Sequence, residues 1–137
     1  MSSKKVFINF AVKDLPASIA FFKALGYTFN PQFTDETATC MVISEEIYAM
    51  LLTEEKFRGF SPNPICDARK QNEVSIALNC DNRAEVDEIV AKAVAAGGNT
   101  YNAPTDYGFM YSHGFQDLDG HVWDYFYMDP SFVQPQG

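Results

Sequence analysis

The residues of this chain best suited to chemistry lie in one short stretch near its C-terminal end. Asp117, Asp119, His121 and Asp124 follow one another closely, and His113 precedes them. Carboxylates and imidazoles are common metal ligands and common acid–base groups. Asp117 and Asp119, however, belong to an Asp-Leu-Asp-Gly sequence, and aspartates in such turns normally hydrogen-bond their own backbone. We therefore expect these two residues to form a turn, with a metal site shared by the two histidines as the weaker alternative.

Asp124 differs from the turn residues because it lies within a predicted strand, which is an unusual place for a carboxylate. Side chains alternate along a strand, so Val122 and Phe126 share its face. These apolar neighbours indicate that Asp124 points to the interior. There it needs hydrogen-bond donors or a raised pKa. The alternative is that Asp124 faces solvent on the outer side of the sheet.

The elements that must position these residues follow a βαβββ order in the first half of the chain. Residues 6–12 are rich in β-branched and aromatic side chains and predict a strand. A helix follows, with Asp14 as its N-cap and Gly26 at its end. Three further strands are predicted at residues 27–33, 37–43 and 47–53. Pro31 indicates that the first of these is an edge strand or ends early.

The same order recurs in the second half. Residues 74–80 predict a strand, Asn82-Arg83-Ala84-Glu85 predicts a capping box at the start of a helix, and Gly97-Gly98 ends that helix. The remaining strands are predicted at residues 100–102, 109–115 and 122–127. The last two are joined by the Asp117-Leu118-Asp119-Gly120 turn. The βαβββ order is therefore predicted twice.

The predicted organisation is one α+β domain over residues 1–137. Its modules span residues 4–53 and 72–128, with a connector at 54–71 and a C-terminal tail at 129–137. Pro62 and Pro64 in the connector cannot continue a helix or a central strand, although a short helical turn is expected around residues 55–60. Each module leaves one apolar sheet face to fill, so we expect the modules to pack together or to exchange partners in a homodimer.

Composition restricts the class of protein. The chain has 137 residues, of which 47% are hydrophobic and 20% charged, as in a packed globule. Residues 47–52 form the longest uninterrupted apolar stretch near the middle of the chain. This stretch is far shorter than the roughly 18 residues that a membrane span needs. The first five residues do not resemble an export signal, and Cys40, Cys66 and Cys80 form no Cys-x-x-Cys pair. We therefore expect a cytoplasmic protein with reduced thiols and no membrane partner.

The formal net charge of −8 argues against nucleic acid as a partner. Binding to a phosphate backbone draws on clustered Lys and Arg side chains. We expect a small molecule as the ligand instead.

Two segments combine with the βαβββ repeat to indicate a family. Residues 10–27 join a strand, Asp14, Ser18 and the pair Phe21-Phe22 to Leu-Gly-Tyr, and residues 115–124 join an Asp-Leu-Asp-Gly hairpin to a carboxylate-bearing strand. Both segments resemble the vicinal-oxygen-chelate superfamily, which contains glyoxalases, bleomycin-resistance proteins and extradiol dioxygenases. The likeness spans nearly the whole chain. It implies two βαβββ modules whose curved mixed sheets form a cup.

The resemblance also implies positions for a divalent metal, which modules of this superfamily commonly hold with His and Glu ligands. The position that matches the ligand histidine of the first strand is Phe7, which cannot ligate. The position on the fourth strand is Ala49 or Met50, depending on register, and neither is a hard ligand.

The second module keeps more of the expected ligand types. The fifth strand offers Ser75, or Glu73 if the alignment shifts by two residues. Asp124 stands where the superfamily usually has a Glu. We therefore predict no obligatory metal or other cofactor. If a divalent metal does bind, the predicted ligands are Asp124, Glu73 and His121.

Aromatic residues make up 15% of the chain and crowd its second half. Most of them are expected in the core, but a cup lined by rings with a few polar groups also suits a small planar ligand. The predicted ligand-binding residues are Phe7, Asn9, Ser75, Tyr107, Phe109, Tyr111, Trp123 and Asp124.

Three functions stay open on this sequence. The first is a small-molecule binding protein of the glyoxalase/bleomycin-resistance type that works as a homodimer without an obligatory metal. The second is a metal-dependent lyase, isomerase or dioxygenase similar to lactoylglutathione lyases. The third is a module that serves dimerisation alone, since fold does not fix function.

Overall fold

The computed structural model describes residues 4–131. Contacts divide the chain into two units, Met1–Asp67 and Ala68–Gly137. The elements of the first unit are β1 (Val6–Val12), α1 (Leu15–Ala24), β2 (Thr28–Asn30), β3 (Ala38–Val42), β4 (Ile47–Thr53) and α2 (Glu54–Arg58). Their strands form one mixed sheet in the order β1-β4-β3-β2, in which β1 and β4 are parallel and the other pairs antiparallel.

The start of α1 follows from its sequence. The Asp14 side chain accepts a hydrogen bond from the backbone N–H of Ala17 at 3.0 Å, which satisfies one of the free donors of the first turn. Gly26 ends the pattern with a φ of 106°, a conformation that favours glycine. Phe21 and Phe22 are buried on the inner side of the helix. The predicted N-cap and helix end are confirmed.

Pro31 shortens the strand that follows α1. The strand β2 ends at Asn30, and Pro31–Phe33 forms a single 3₁₀ turn capped by the Asn30 side chain. Proline lacks the N–H that a further sheet hydrogen bond would need. The expectation of an early end and an edge position is confirmed, whereas the predicted extension to residue 33 is wrong.

The second unit repeats this plan with β5 (Ser75–Asn79), α3 (Arg83–Ala95), β6 (Thr105–Asp106), β7 (Met110–Gln116) and β8 (Val122–Met128). Its sheet order is β5-β8-β7-β6, again with the first pair parallel and the others antiparallel. The α+β fold class and the internal repeat are confirmed. None of the helices within residues 4–131 combines the length and apolarity needed to cross a membrane.

The N-terminus of α3 is capped in a slightly different way from the prediction. Asn82 is the N-cap and accepts from the backbone N–H of Glu85 at 2.8 Å. The Glu85 carboxylate accepts from the backbone N–H of Asp81, one residue before the N-cap, at 2.8 Å. In a capping box that second bond would go to the N-cap residue itself. Both bonds still satisfy backbone donors at the helix start.

The strand predicted at residues 100–102 is wrong. Asn99 makes one isolated bridge with Gln116, and the chain then leaves the sheet until β6 begins at Thr105. Side-chain bonds replace the ladder here, because the Thr100 hydroxyl donates to the Gly114 carbonyl at 2.9 Å. Pro104 has no backbone N–H to donate to a neighbouring strand. The result is a loop over residues 100–104 at the edge of β7.

Candidate ligand-binding site

Each sheet has one face that carries the buried core of its unit and one face that is less covered. In the first unit, Phe10, Met41 and Leu51 lie on the core face and are at most 2% exposed. Strand alternation puts Phe7, Asn9, Tyr48 and Met50 on the other face. We call these four residues the first open face.

The first open face is mainly aromatic. The rings of Phe7 and Tyr48 stack with centroids 4.8 Å apart and planes 11° apart. The ammonium group of Lys5 lies 5.8 Å from the centroid of the Tyr48 ring. Phe7 remains half exposed at 50%. This face offers rings for packing and the Asn9 amide as its polar group.

The first open face does not fit a divalent metal. Phe7 stands at the position to which the resemblance assigns a ligand histidine, and a phenyl ring has no lone pair to donate. The register Ile8↔Ala49 puts Ala49 on the core face, where it is fully buried, so Met50 is the fourth-strand residue that faces outward. A thioether is a soft ligand and does not replace a carboxylate. The first unit therefore supplies neither of its two expected ligands.

The second open face consists of Ser75, Ala77, Gln116, Val122 and Asp124. The register Ser75↔Val122 and Ala77↔Asp124 places the β5 and β8 members side by side, and Gln116 of β7 lies opposite Val122. At one end this face borders a cleft of about 540 Å³, a volume typical of small-molecule sites. The cleft is lined by Asn72, Glu73, Val74, Ser75, Tyr101, Gln116 and Val122.

Tyr101 closes one side of this cleft because Gly114 leaves room for it. A Cβ atom on Gly114 would lie 2.8 Å from the Tyr101 hydroxyl and 2.7 Å from the Trp123 carbonyl oxygen. Glycine inside a strand often marks such a close approach. Burial raises the pKa of the Tyr101 hydroxyl, and the negative charge of Asp124 adds to this. The phenol lies near Asp124 because Gly114, against which its hydroxyl packs, is paired with Asp124 in the sheet.

Asp124 shares a face with Val122 and Phe126, as expected from strand alternation. Burial raises the pKa of its carboxyl group, while the charge of His113 acts in the opposite direction. No hydrogen bond to this carboxylate is found within residues 4–131. Hydrogen-bond donors and a raised pKa were the two alternatives expected for an inward Asp124, and the direction of this shift agrees with the second.

Asp117 is the centre of a buried hydrogen-bond network. Its carboxylate accepts from the backbone N–H of Asp119 at 2.9 Å and of His121 at 3.0 Å. It also accepts from the Trp123 indole at 3.0 Å and from Nδ1 of His121 at 2.9 Å. The turn-forming role predicted for Asp117 is confirmed. Since a carboxylate only accepts, the proton of the His121–Asp117 bond resides on Nδ1.

His121 links this network to the cleft. Its side chain is 2% exposed, and its Nε2 atom lies 3.8 Å from a carboxylate oxygen of Glu73, which lines the cleft. Burial opposes the charged imidazolium, but the hydrogen bond and charge of Asp117, together with Glu73 and Asp119, outweigh it and raise the pKa of His121. The imidazole thus joins a buried carboxylate to one at the cleft wall.

Metal-ligand geometry is limited to the hairpin. Within residues 4–131, Asp117, Asp119 and His121 form the one group of three ligand-type side chains whose atoms lie within 4.8 Å of one another. Asp117 already receives four donors, so a metal would have to displace them. Asp124 and Glu73, the other metal ligands considered from sequence, do not belong to that group.

The predicted ligand-binding residues fall in different places. Phe7 and Asn9 lie on the first open face, and Ser75 and Asp124 on the second. Trp123 instead points into the core of its unit, where it is 0% exposed and bonded to Asp117.

Tyr111 also lies on the helix side of its sheet. Its hydroxyl donates to Asp87 of α3 at 2.5 Å. The structure therefore does not bring Tyr111 or Trp123 to the second open face.

Tyr107 and Phe109 occupy the loop between β6 and β7, with Tyr107 56% exposed and the two rings 6.3 Å apart. Gly108 between them has a φ of 85°, which favours glycine, and its carbonyl accepts from Arg83 at 3.0 Å. This loop forms a rim at the edge of the second sheet. Neither aromatic residue lines the cleft next to Ser75.

Sequence reasoning missed Tyr101 and Gln116 as cleft residues and named Glu73 only as a metal ligand. Tyr101 was assigned to a strand that does not form. A signal was available in Gly114, since a glycine inside the predicted strand 109–115 indicates that another group comes close. It did not identify which group.

Comparison with known proteins agrees with this fold. A family model described as "Bleomycin resistance protein-like N-terminal" matches residues 4–44. The hypothetical protein SA1046 from S. aureus is 31% identical and superimposes with a TM-score of 0.78 over 93% of this chain and 95% of that one. No curated protein matches the chain.

More distant solved structures share the architecture. A glyoxalase/bleomycin resistance protein/dioxygenase family enzyme from Burkholderia phytofirmans PsJN is 16% identical, with a TM-score of 0.76 over 92% of this chain and 99% of that one. The fosfomycin resistance protein FosX from Listeria monocytogenes is 19% identical, with a TM-score of 0.66 over 99% of this chain and 97% of that one. With the repeated βαβββ units and the matched N-terminal segment, these findings show that the chain belongs to the vicinal-oxygen-chelate superfamily.

Proposed function

We propose that this protein binds a small organic molecule in the cleft beside its second open face and does so without an obligatory metal. The cleft itself supports the proposal most directly. Its volume of about 540 Å³ lies in the usual range for ligand sites. Its wall combines apolar surface from Val74 and Val122 with a few polar groups, which is the composition such sites normally have.

The residue types at the superfamily's metal positions support the metal-free part of the proposal. Phe7 and Met50 cannot act as hard ligands, and Ser75 is a weak one. Among Phe7, Met50, Ser75 and Asp124, only Asp124 carries a carboxylate. A single carboxylate with an elevated pKa is a poor anchor for a divalent ion, because metal binding requires the deprotonated form.

A filled-cleft variant tests the site. Ser75→Trp puts a large ring into the cleft, whereas Asn79→Trp places the same ring farther along β5 on the same face, outside the cleft lining. Thermal-shift screening of a metabolite-like library in the presence of EDTA should yield ligands that stabilise the wild type and the Asn79→Trp variant but not Ser75→Trp. A library without any stabilising ligand would contradict the proposal and favour a structural role.

Metal analysis tests the competing function. Protein purified without added metal should contain less than stoichiometric Zn, Ni, Mn or Fe. A stoichiometric ion that is lost in Asp124→Ala would favour a metal-dependent lyase, isomerase or dioxygenase.

We also propose a homodimer in the cytoplasm. The half-exposed Phe7 supports an apolar contact, and the buried free thiols of Cys40 and Cys80 support a reducing compartment. Burial raises the pKa of Cys40, and it raises that of Cys80 to about 11, which keeps both thiols unreactive. Light scattering at several protein concentrations measures the oligomeric state, and a monomer at all of them would reject the dimer.

A further inference from the structure

The loop at residues 100–104 carries Tyr101 into the cleft wall and leaves the sheet between two fixed points. Before the loop, Asn99 exchanges backbone hydrogen bonds with Gln116 at 2.7 and 3.1 Å. After it, Thr105 begins β6. Tyr101 is 48% exposed, so the burial of its ring alone anchors it weakly. The bonds made by its neighbours in the loop therefore decide where the ring lies.

One side chain of β7 contacts the residues on both sides of Tyr101. Nε2 of His113 lies 2.9 Å from the Thr100 hydroxyl oxygen and 2.8 Å from the Asn102 carbonyl oxygen. A carbonyl oxygen only accepts, so Nε2 carries the proton and donates to this pair of oxygens. The imidazole thus holds the loop immediately before and immediately after Tyr101.

The Thr100 hydroxyl connects the same loop to the next residue of β7. It donates to the Gly114 carbonyl at 2.9 Å and accepts from His113. Gly114 is also the residue against which the Tyr101 hydroxyl packs. Two adjacent residues of one strand therefore hold both the backbone of the loop and the phenol that it carries.

We propose that His113 is a positioning residue for the cleft of the second unit, because together with Thr100 it keeps Tyr101 in the cleft wall. Neither His113 nor Thr100 lines the cleft, so both act through Tyr101. When their bonds are lost, the loop populates positions in which this wall is missing. The apparent affinity of the cleft then falls with the fraction of protein that retains the wall. The inference rests on the proposed binding function and names the contacts that complete its site.

Substitutions at Thr100 test the inference without changing any charge. Thr100→Val keeps the shape of the side chain and removes its hydrogen bonds, whereas Thr100→Ser keeps the hydroxyl. Thr105→Val is the matched control at the other end of the loop, since no side-chain hydrogen bond of Thr105 is found within residues 4–131.

A second pair of variants addresses the imidazole. His113→Leu removes the donor, and His113→Gln retains an N–H group at a similar distance from the backbone. Thermal melts of all variants verify folding.

The first measurement follows Tyr101 itself. The chain has seven tyrosines, and ¹⁹F spectra of full-length protein labelled with 3-fluorotyrosine report on each of them, with Tyr101→Phe assigning the signal of interest. Thr100→Val and His113→Leu should shift or broaden the Tyr101 signal. Thr100→Ser, His113→Gln and Thr105→Val should leave it in place. A general loss of stability would not single out one tyrosine.

The second measurement uses indole, a flat neutral molecule, as a probe of the cleft. Titration into ¹⁵N-labelled full-length protein in EDTA should shift the backbone amide signals of Ser75 and Val122. Thr100→Val and His113→Leu should weaken indole binding about fivefold, the factor that corresponds to one lost hydrogen bond of ordinary strength. The two conservative variants and the control should remain within about twofold of the wild type.

The outcomes separate this inference from the proposed function. A displaced Tyr101 signal with weaker indole binding in Thr100→Val and His113→Leu, both restored in Thr100→Ser and His113→Gln, supports the inference. An unchanged signal, or a displaced signal with unchanged indole affinity, overturns it while the proposed function stands. Absence of indole shifts in the wild-type cleft also overturns it, and together with a library screen without stabilising ligands overturns the proposed function as well.

Discussion

The two sheets of this protein have the same strand order but opposite chemical character on their open faces. The first presents stacked rings of Phe7 and Tyr48, whereas the second carries Asp124 and borders a cleft with Glu73 and Tyr101. A repeated backbone thus fixes where outward-facing positions occur, while single residues decide what each face can bind. In this chain the Asp124 carboxylate and the cleft that contains Glu73 both belong to the second unit.

The hairpins that precede the last strand of each sheet differ in the same way. The turn at Ser44, Glu45 and Glu46 is exposed, and the Ser44 hydroxyl accepts a local hydrogen bond from the backbone N–H of Glu46. The corresponding turn at Asp117 is buried and joins His121 and Trp123. The second hairpin therefore stabilises its unit as well as connecting two strands.

The largest expected effect comes from removing the centre of that network. Asp117→Ala leaves the buried His121 and Trp123 donors without their acceptor, so the free energy of unfolding should fall by about 3 kcal/mol or more. Glu45→Ala in the exposed first hairpin should change it by less than about 0.5 kcal/mol. Urea denaturation measures both. Equal losses in the two variants would mean that the hairpins do not differ as described.

Gly114→Ala tests the close approach that shapes the cleft. The added methyl group would overlap the Trp123 carbonyl and the Tyr101 hydroxyl, so we expect a loss of about 1 to 3 kcal/mol in unfolding free energy. The amide signals of residues 100–102 should shift in NMR spectra. Ser112→Ala, on the same strand and face, is the control with little expected change. A fully stable Gly114→Ala protein with unchanged spectra would show that Tyr101 is not held there.

The pH dependence of stability tests the charged state of His121. Its folded-state pKa is raised above the ordinary histidine value of 6.5, so its protonation stabilises the fold fully below that value. That contribution should be lost as the pH rises through the elevated pKa. Unfolding measured across neutral to mildly alkaline pH should show this decline in the wild type, and His121→Gln should flatten it. An identical slope in both proteins would remove the basis for a charged His121.

The smallest expected effect concerns Asp124. Burial raises its pKa, so the charged form is disfavoured in the folded state and its ionisation lowers stability as the pH rises through that pKa. Asp124→Asn should therefore raise the melting temperature slightly at neutral pH and have little effect at acidic pH. Asp35→Asn in the first unit should instead lower the melting temperature at neutral pH, because backbone and side-chain hydrogen bonds from Thr37 lower the pKa of Asp35 and stabilise its charged form. A lower melting temperature for Asp124→Asn at neutral pH would indicate that its carboxylate has a stabilising partner.

Much of the fold could be predicted because its signals are local. Asp14 caps α1 through a residue three positions away, and Gly120 completes the second hairpin with a φ of 91°. The prediction of a strand at residues 100–102 was wrong because the Thr100 side chain bonds to the Gly114 carbonyl and Pro104 lacks a backbone N–H, so no strand ladder forms. The alternation of side chains in the sequence does not reveal these effects. Trp123 resembled a ligand contact only because aromatic residues in cores and in binding sites look alike in sequence.

The sequence alone determined the repeated βαβββ order and the turns, since periodicity and turn chemistry are properties of short segments. The tertiary structure decided that Tyr101 lies against Gly114, that His121 joins Asp117 to Glu73, and that Tyr111 faces a helix. These contacts join residues separated along the chain. They depend on strand register and on the route of a loop, which local preferences do not specify.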